Sequence, residues 1–143
     1  MDEKDISRSA TAVRLGINNT PSPQIIENAK LVMSKILAPI EAYYKKPVKI
    51  NCMYRCPKLN KAIGGAATSQ HLLGKAVDFT VQGITVKQVF NDIISGRIKG
   101  LKDVLDQCIE EGTWLHISYD IKQHRKQFLV MRNGKYTPTT KEI

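Results

Sequence analysis

Three side chains of this 143-residue chain stand in an order suited to holding a metal ion: His71, Asp78 and, far downstream, His116. A hydrolytic zinc ion takes three nitrogen or oxygen ligands from the protein and keeps a further position for water. Two imidazoles and one carboxylate meet that need if the fold brings them to one point. Asp78 lies in Ala76–Val81, where Val77, Phe79 and Val81 fall on one face of a strand and Asp78 and Thr80 on the other. Residues 114–119 alternate in the same way, with Trp114, His116 and Ser118 on one face and Leu115, Ile117 and Tyr119 on the other. If these strands are neighbours, Asp78 and His116 project from the same side of a sheet. His71 belongs to residues 66–75, which read as a loop, and the small Gly74 and Ala76 let that loop approach the sheet. Singly, each residue has an ordinary reading as a loop polar residue, a capping or ion-paired aspartate, or an exposed strand residue. Their order and context together favour a metal site. No His-Glu-x-x-His helix, phosphate-binding glycine loop or Gly-x-Ser-x-Gly turn competes with it.

The elements that must position these residues are legible at the same level. Thr20-Pro21-Ser22-Pro23 marks a boundary, with Ser22 suited to cap a helix that has Pro23 in its first turn. Ile25, Ala29, Val32, Met33, Ile36, Leu37 and Ile40 follow at helical spacing, Pro39 is expected to kink or thin the helix near its end, and Pro47 to stop it. Residues 48–53 read as a strand, and Pro57 opens a short helix that Gly64-Gly65 ends. Thr85 caps a helix with Val86, Val89, Phe90, Ile93 and Ile94 inward, ended by Gly96. Residues 101–111 fit a helix through Leu101, Val104, Leu105 and Cys108 and a strand through Leu105, Gln107 and Ile109; a strand is expected over the second half. Asn133-Gly134 is a hairpin signal between a strand at 127–131 and a short one around Tyr136. Residues 1–20 are polar and are expected to wrap the surface, packing on the domain. Helices lead and strands then dominate around an inserted helix. The expectation is an α+β fold with a mostly antiparallel central sheet and flanking helices, in one domain over 1–143.

Composition narrows the partners. Lys and Arg number 22 against 13 Asp and Glu, a net charge of +9, which favours a polyanion such as nucleic acid or the anionic polymers of a bacterial wall. The basic residues are scattered, with no dense run and no interleaved aromatic stacking motif, which argues for a solvated basic surface over a nucleic-acid groove. No apolar run reaches membrane-spanning length, so no membrane insertion is expected. Met1-Asp2-Glu3-Lys4-Asp5 is acidic and polar, unlike a secretory signal, and synthesis in a cytoplasm is expected. Cys52, Cys56 and Cys108, an odd set without Cys-x-x-Cys spacing, read as free thiols.

Ser69-x-His71-x-x-Gly74-x-Ala76-x-Asp78 followed by Trp114-x-His116 resembles, without a gap, the pattern of the zinc D-Ala-D-Ala carboxypeptidase and peptidoglycan endopeptidase family, whose fold is shared with the hedgehog signalling domain. Ser9-Ala10-Thr11-Ala12, Gly16-Ile17-Asn18-Asn19, Pro21, Tyr54-Arg55, Asn60 and Gly64-Gly65 resemble its small phage and prophage subgroup. The resemblance implies one zinc ion on His71, Asp78 and His116, and hydrolysis of a peptide bond in peptidoglycan stem peptides. Many members carry an acid three residues before the last histidine. Here that residue is Thr113, and the subgroup's Gln-x-x-x-Glu pattern matches Gln107 and Glu111 instead, which makes Glu111 the implied general base, with Glu110 as the alternative. Arg55 and Ser69 match the family's substrate-binding positions, and Trp114 fits either cleft or core. His124, among Lys122, Gln123 and Arg125, reads as exposed and not a ligand. The subgroup further implies an endolysin-like monomer that reaches the wall after release from an infected cell. A catalytically silent zinc module that binds a wall fragment or partner, and a basic nucleic-acid-binding protein, are the competing readings.

Overall fold

Ser22 opens the first long helix as its side chain requires: Oγ accepts from the Ile25 N–H at 3.3 Å, and Pro23, which has no N–H to lose, occupies the first turn. The computed structural model describes residues 2–143. In that range the helices are α1 (Lys4–Ser7), α2 (Ala10–Leu15), α3 (Pro23–Val32), α4 (Ala38–Tyr44), α5 (Pro57–Ala62), α6 (Val86–Ile94) and α7 (Leu101–Val104). A π turn, Met33–Leu37, joins α3 to α4, and a 3₁₀ turn, Gln70–Leu73, precedes β2. Pro39 therefore does not end the helix. The wider turn just before it accommodates a ring that would crowd a regular α-turn, and helix continues to Tyr44, where Lys45 adopts a left-handed φ of 55°. The buried stripe runs through the π turn unbroken: Ala29, Val32, Ile36, Leu37 and Ile40 are all fully buried.

The strands are β1 (Val48–Cys52), β2 (Ala76–Val81), β3 (Gln107–Glu110), β4 (Leu115–Ser118), β5 (Gln127–Arg132) and β6 (Lys135–Pro138). Among the described residues they form one sheet in the order β1-β2-β4-β3-β5-β6, antiparallel at every junction except the parallel β3–β5 pair. The chain is thus α+β with a mostly antiparallel sheet. Cross-strand pairing aligns Cys52, Asp78, His116, Ile109 and Leu129 in one transverse row. The neighbouring residues Val77, Phe79, Leu115, Ile117, Cys108 and Phe128 point to the other face and enter the core. There they meet the buried sides of α3 and α6; Phe90 of α6 lies edge-on to Phe128, with ring centroids 5.7 Å apart.

Two expectations are corrected here. Residues 2–20 do more than wrap the surface. Ile6 of α1 is 1% exposed and joins the core, its carbonyl accepts from Tyr54 N–H at 2.9 Å, and buried Asn19 accepts from Cys56 N–H at 2.7 Å while donating to Tyr54 O and Ser7 O. Polar composition concealed this because one apolar side chain and one buried amide suffice to dock a short segment. Residues 66–75 also contain the ordered 3₁₀ turn, capped by Ser69 and ended by Gly74 at φ +70°. Gly74 approaches the backbone of Ile25 in α3 closely, so its small size serves helix docking. Over residues 101–111 both periodicities are realised in turn, helix in α7 and strand in β3. Asn133 and Gly134 have φ of 53° and 75°, as the tight β5–β6 hairpin demands.

The candidate metal centre

Asp78 is the meeting point of the two histidines. Its Oδ1 lies 2.8 Å from His116 Nδ1 and 3.2 Å from His71 Nε2. β2 and β4 bring Asp78 and His116 together as direct cross-strand partners. His71 arrives from the 3₁₀ turn, is 2% exposed, and sets its Nδ1 2.7 Å from the Met53 carbonyl. A carbonyl oxygen accepts only, so Nδ1 carries the proton and donates it there. Nε2 is turned toward the Asp78 oxygen. The Asp78 carboxyl is pushed up by burial, but the hydrogen bonds and charges of His116 and His71 outweigh this and hold it well below the usual carboxylate range. The set therefore offers two imidazoles and an anionic carboxylate, with one imidazole oriented through its far nitrogen by a backbone carbonyl. That is a donor set zinc accepts.

Two further donors flank this trio. Ligand atoms of Asp78, Glu111 and His116 lie within 4.8 Å of one another, as do those of Cys52, His71 and Asp78. Glu111 follows β3, and its Oε2 accepts from Trp114 Nε1 at 2.7 Å. Burial, reinforced by Asp78, raises its pKa against the lowering pull of His116. Glu110 faces the other side of the sheet, 3% exposed, where Arg132 Nη2 and Nη1 donate to it at 2.7 and 3.0 Å and the Gly112 N–H donates as well. It has no path to the His71–Asp78–His116 trio. Cys52 was hidden from simple alternation, which puts it on the core side with Ile50. A bulge between these two residues turns Cys52 to pair with Asp78. Burial, then Asp78, pushes its thiol up to about 12, so it stays protonated and is a weak donor beside the imidazoles.

Arg55 and Ser69 are built into the same unit. Arg55 N–H donates to His71 O at 3.1 Å, Arg55 Nη2 donates to Ser69 Oγ at 3.0 Å, and Ser69 Oγ also accepts from His71 N–H at 3.2 Å. Arg55 Nε is buried and has no hydrogen-bond partner among the described residues. A cleft of about 780 Å³ opens over Arg55, Ser69, His71, Asp78, Glu111 and His116. Trp114 lines it too. His124 stands outside it, against the Tyr119 ring at 5.5 Å between centroids. Sequence reasoning overlooked Arg125, Leu129 and Tyr136, which complete the cleft wall from the last third of the chain. The period-two pattern places Leu129 and Tyr136 on one sheet face, but nothing in it says that β5 lies beside β3.

No helix among the described residues is long and apolar enough to cross a membrane. No curated protein matches the chain. A family model described as Peptidase M15 matches residues 1–118, a span that ends with β4 and holds the trio, Glu111, Arg55 and Ser69.

Proposed function

Because the chain belongs to the Peptidase M15 family of zinc metallopeptidases, we propose that it hydrolyses a peptide bond in the stem peptides of bacterial peptidoglycan, as a D-Ala-D-Ala carboxypeptidase or as an endopeptidase, with one zinc ion on His71, Asp78 and His116. The observation that carries this reading is the convergence of His71 Nε2 and His116 Nδ1 on one oxygen of Asp78 at the floor of an open cleft, with Glu111 alongside.

A bound zinc ion supplies Lewis-acid polarisation of the scissile carbonyl and acidifies the attacking water. The chain's own residues do the rest. Glu111 accepts the water's proton and passes it to the leaving amine. A carboxyl raised by burial suits both transfers better than one held deep in the acidic range. The Trp114 indole N–H holds one Glu111 oxygen in the cleft. The His71 bond to Met53 O keeps the imidazole in the tautomer whose Nε2 faces the centre. Arg55, oriented through Ser69, holds the peptide's carboxylate or carbonyl. We further read the net charge of +9 as adhesion to the anionic wall, and the role as that of a phage-type, monomeric enzyme acting there after release.

Turbidity clearing of purified walls, with and without a chelator, tests the reading, and mass spectrometry of the products names the bond. Clearing that survives exhaustive chelation, or the absence of any new peptide terminus, overturns it.

A further inference from the structure

We propose that Arg125 is a second carboxylate-binding group of the cleft, selecting acidic stem peptides that carry a free carboxylate away from the scissile bond; this rests on the peptidase reading above. Asp106 is fully buried, yet it collects four donors: Arg125 Nε at 2.8 Å, Arg125 Nη2 at 2.9 Å, Arg125 N at 3.1 Å and Gln70 Nε2 at 2.9 Å. One consequence falls on Arg125. Its guanidinium is gripped along one edge, so its plane is set before any ligand arrives, and Nη1 has no hydrogen-bond partner among the described residues. The side chain is 44% exposed and lines the cleft. An ordinary exposed arginine gives up rotamer freedom when it binds an anion, and this one has already done so.

The other consequence is registry. Gln70, which shares the Asp106 carboxylate, is the residue before His71, so Arg125 is held in fixed relation to the metal trio through one buried anion. Asp106 also balances the charge of Arg125, so selection comes from directed N–H donors more than from net charge. Arg55, whose side chain bonds Ser69 and no carboxylate, is the first anion-binding group of the cleft. Two guanidiniums in one cleft suit a peptide with two carboxylates, one near the scissile bond and one on a side branch. A purely structural Arg125, tying its loop to the start of β3, makes a different prediction, since its loss harms every substrate alike.

The test uses the zinc-loaded full chain and two synthetic stem peptides that differ only in one side-branch carboxylate, free in one and converted to a primary amide in the other. Wild type is expected to favour the free carboxylate by about tenfold in kcat/KM, the worth of one charge-assisted hydrogen bond at a partly exposed site. Arg125→Gln should bring that ratio to about one, chiefly through KM, and Arg125→Lys, which keeps the charge but not the fork, should recover only part of it. An unchanged ratio in Arg125→Gln, or equal losses on both peptides, overturns the proposal. Cleavage of neither peptide by wild type overturns the peptidase reading, and this inference with it.

Discussion

Glu110 and Glu111 are consecutive, but their carboxylates lie on opposite sides of the sheet. Glu110 is held by Arg132 on one side, and Glu111 is held by Trp114 in the cleft on the other. Adjacent positions thus carry different work, and a matched pair of substitutions separates them. Glu111→Gln is expected to keep its zinc and lose about 10²–10⁴ in turnover, the usual worth of a positioned acid–base group. Glu110→Gln should keep turnover near wild type and lower the thermal midpoint, because Arg132 and the Gly112 N–H lose a charged acceptor. Steady-state rates set beside metal content decide the matter, and equal turnover of Glu111→Gln and wild type removes Glu111 from the mechanism.

Asp78 touches both histidines, so the three ligand substitutions should not be equivalent. His71→Ala, Asp78→Ala and His116→Ala should each bring bound zinc well below one per chain and abolish hydrolysis. In the metal-free protein Asp78→Ala should be the most destabilising, because it leaves buried His71 without its Nε2 partner. Metal analysis after dialysis, together with urea unfolding of the apo forms, tests both statements. Full zinc occupancy in the His116 variant shows the site to be misassigned.

Gly74 is required on two counts. Its φ of +70° is costly for any side chain, and a Cβ there would stand 2.8 Å from Ile25 O and 2.9 Å from Ile25 Cγ2. Gly74→Ala should cost about 2 kcal/mol or more, whereas Gly83→Ala, with a similar φ of +76° and open space, should cost about 1. Since Gly74 ends the turn that carries His71, zinc affinity should fall in the first variant and hold in the second. Chemical unfolding and a competitive zinc titration provide the two readings.

Asp106 gives the chain an acid-sensitive clamp. Burial pushes its carboxyl up, but hydrogen bonds from Arg125 and Gln70 prevail and hold it below its ordinary range. A folded-state pKa below the unfolded one contributes stability that is present above the unfolded value, about 3.9, and lost as pH falls through the folded value. Asp106→Asn should therefore be less stable than wild type by about 2 kcal/mol at neutral pH, a figure discounted for the exposure of Arg125. The gap should narrow as pH falls below the unfolded value and close once pH has passed through the lower folded value. Urea midpoints across that range check it, and a gap that stays constant with pH assigns the loss to packing.

Wall adhesion by the net charge of +9 should weaken with salt, since screening shortens the field to about 8 Å at physiological ionic strength and about 3 Å at 1 M. Retention on intact walls measured from low to high salt reads this directly. Constant retention overturns the electrostatic account without touching the metal centre.

Much of this was legible in the chain. β2 has the bounds its alternation implies, and Asp78 and His116 share a face because both strands repeat every second residue and happen to be neighbours. Ser22, Thr85 and Asn133-Gly134 act where their backbone preferences put them, because caps and hairpin turns are local. What stayed hidden was non-local or a break in period. The bulge that swings Cys52 toward Asp78 defeats alternation. The parallel β3–β5 pairing that brings Leu129 and Tyr136 to the cleft leaves no mark on either strand alone. Ile6 sits in a mostly polar segment, and its place in the core depends on elements far along the chain, among them Tyr54, whose N–H bonds its carbonyl.

β6, at the end of the sheet, turns one edge toward solvent, and all four of its residues are exposed. An open edge invites a second chain to extend the ladder, and the hazard grows at high protein concentration. This edge is short, begins with Lys135 and ends with Pro138, which has no N–H to offer a newcomer. The strand that supplies a wall of the cleft is therefore also a poor template for templated assembly, and the chain should withstand accumulation to high concentration without polymerising through this edge.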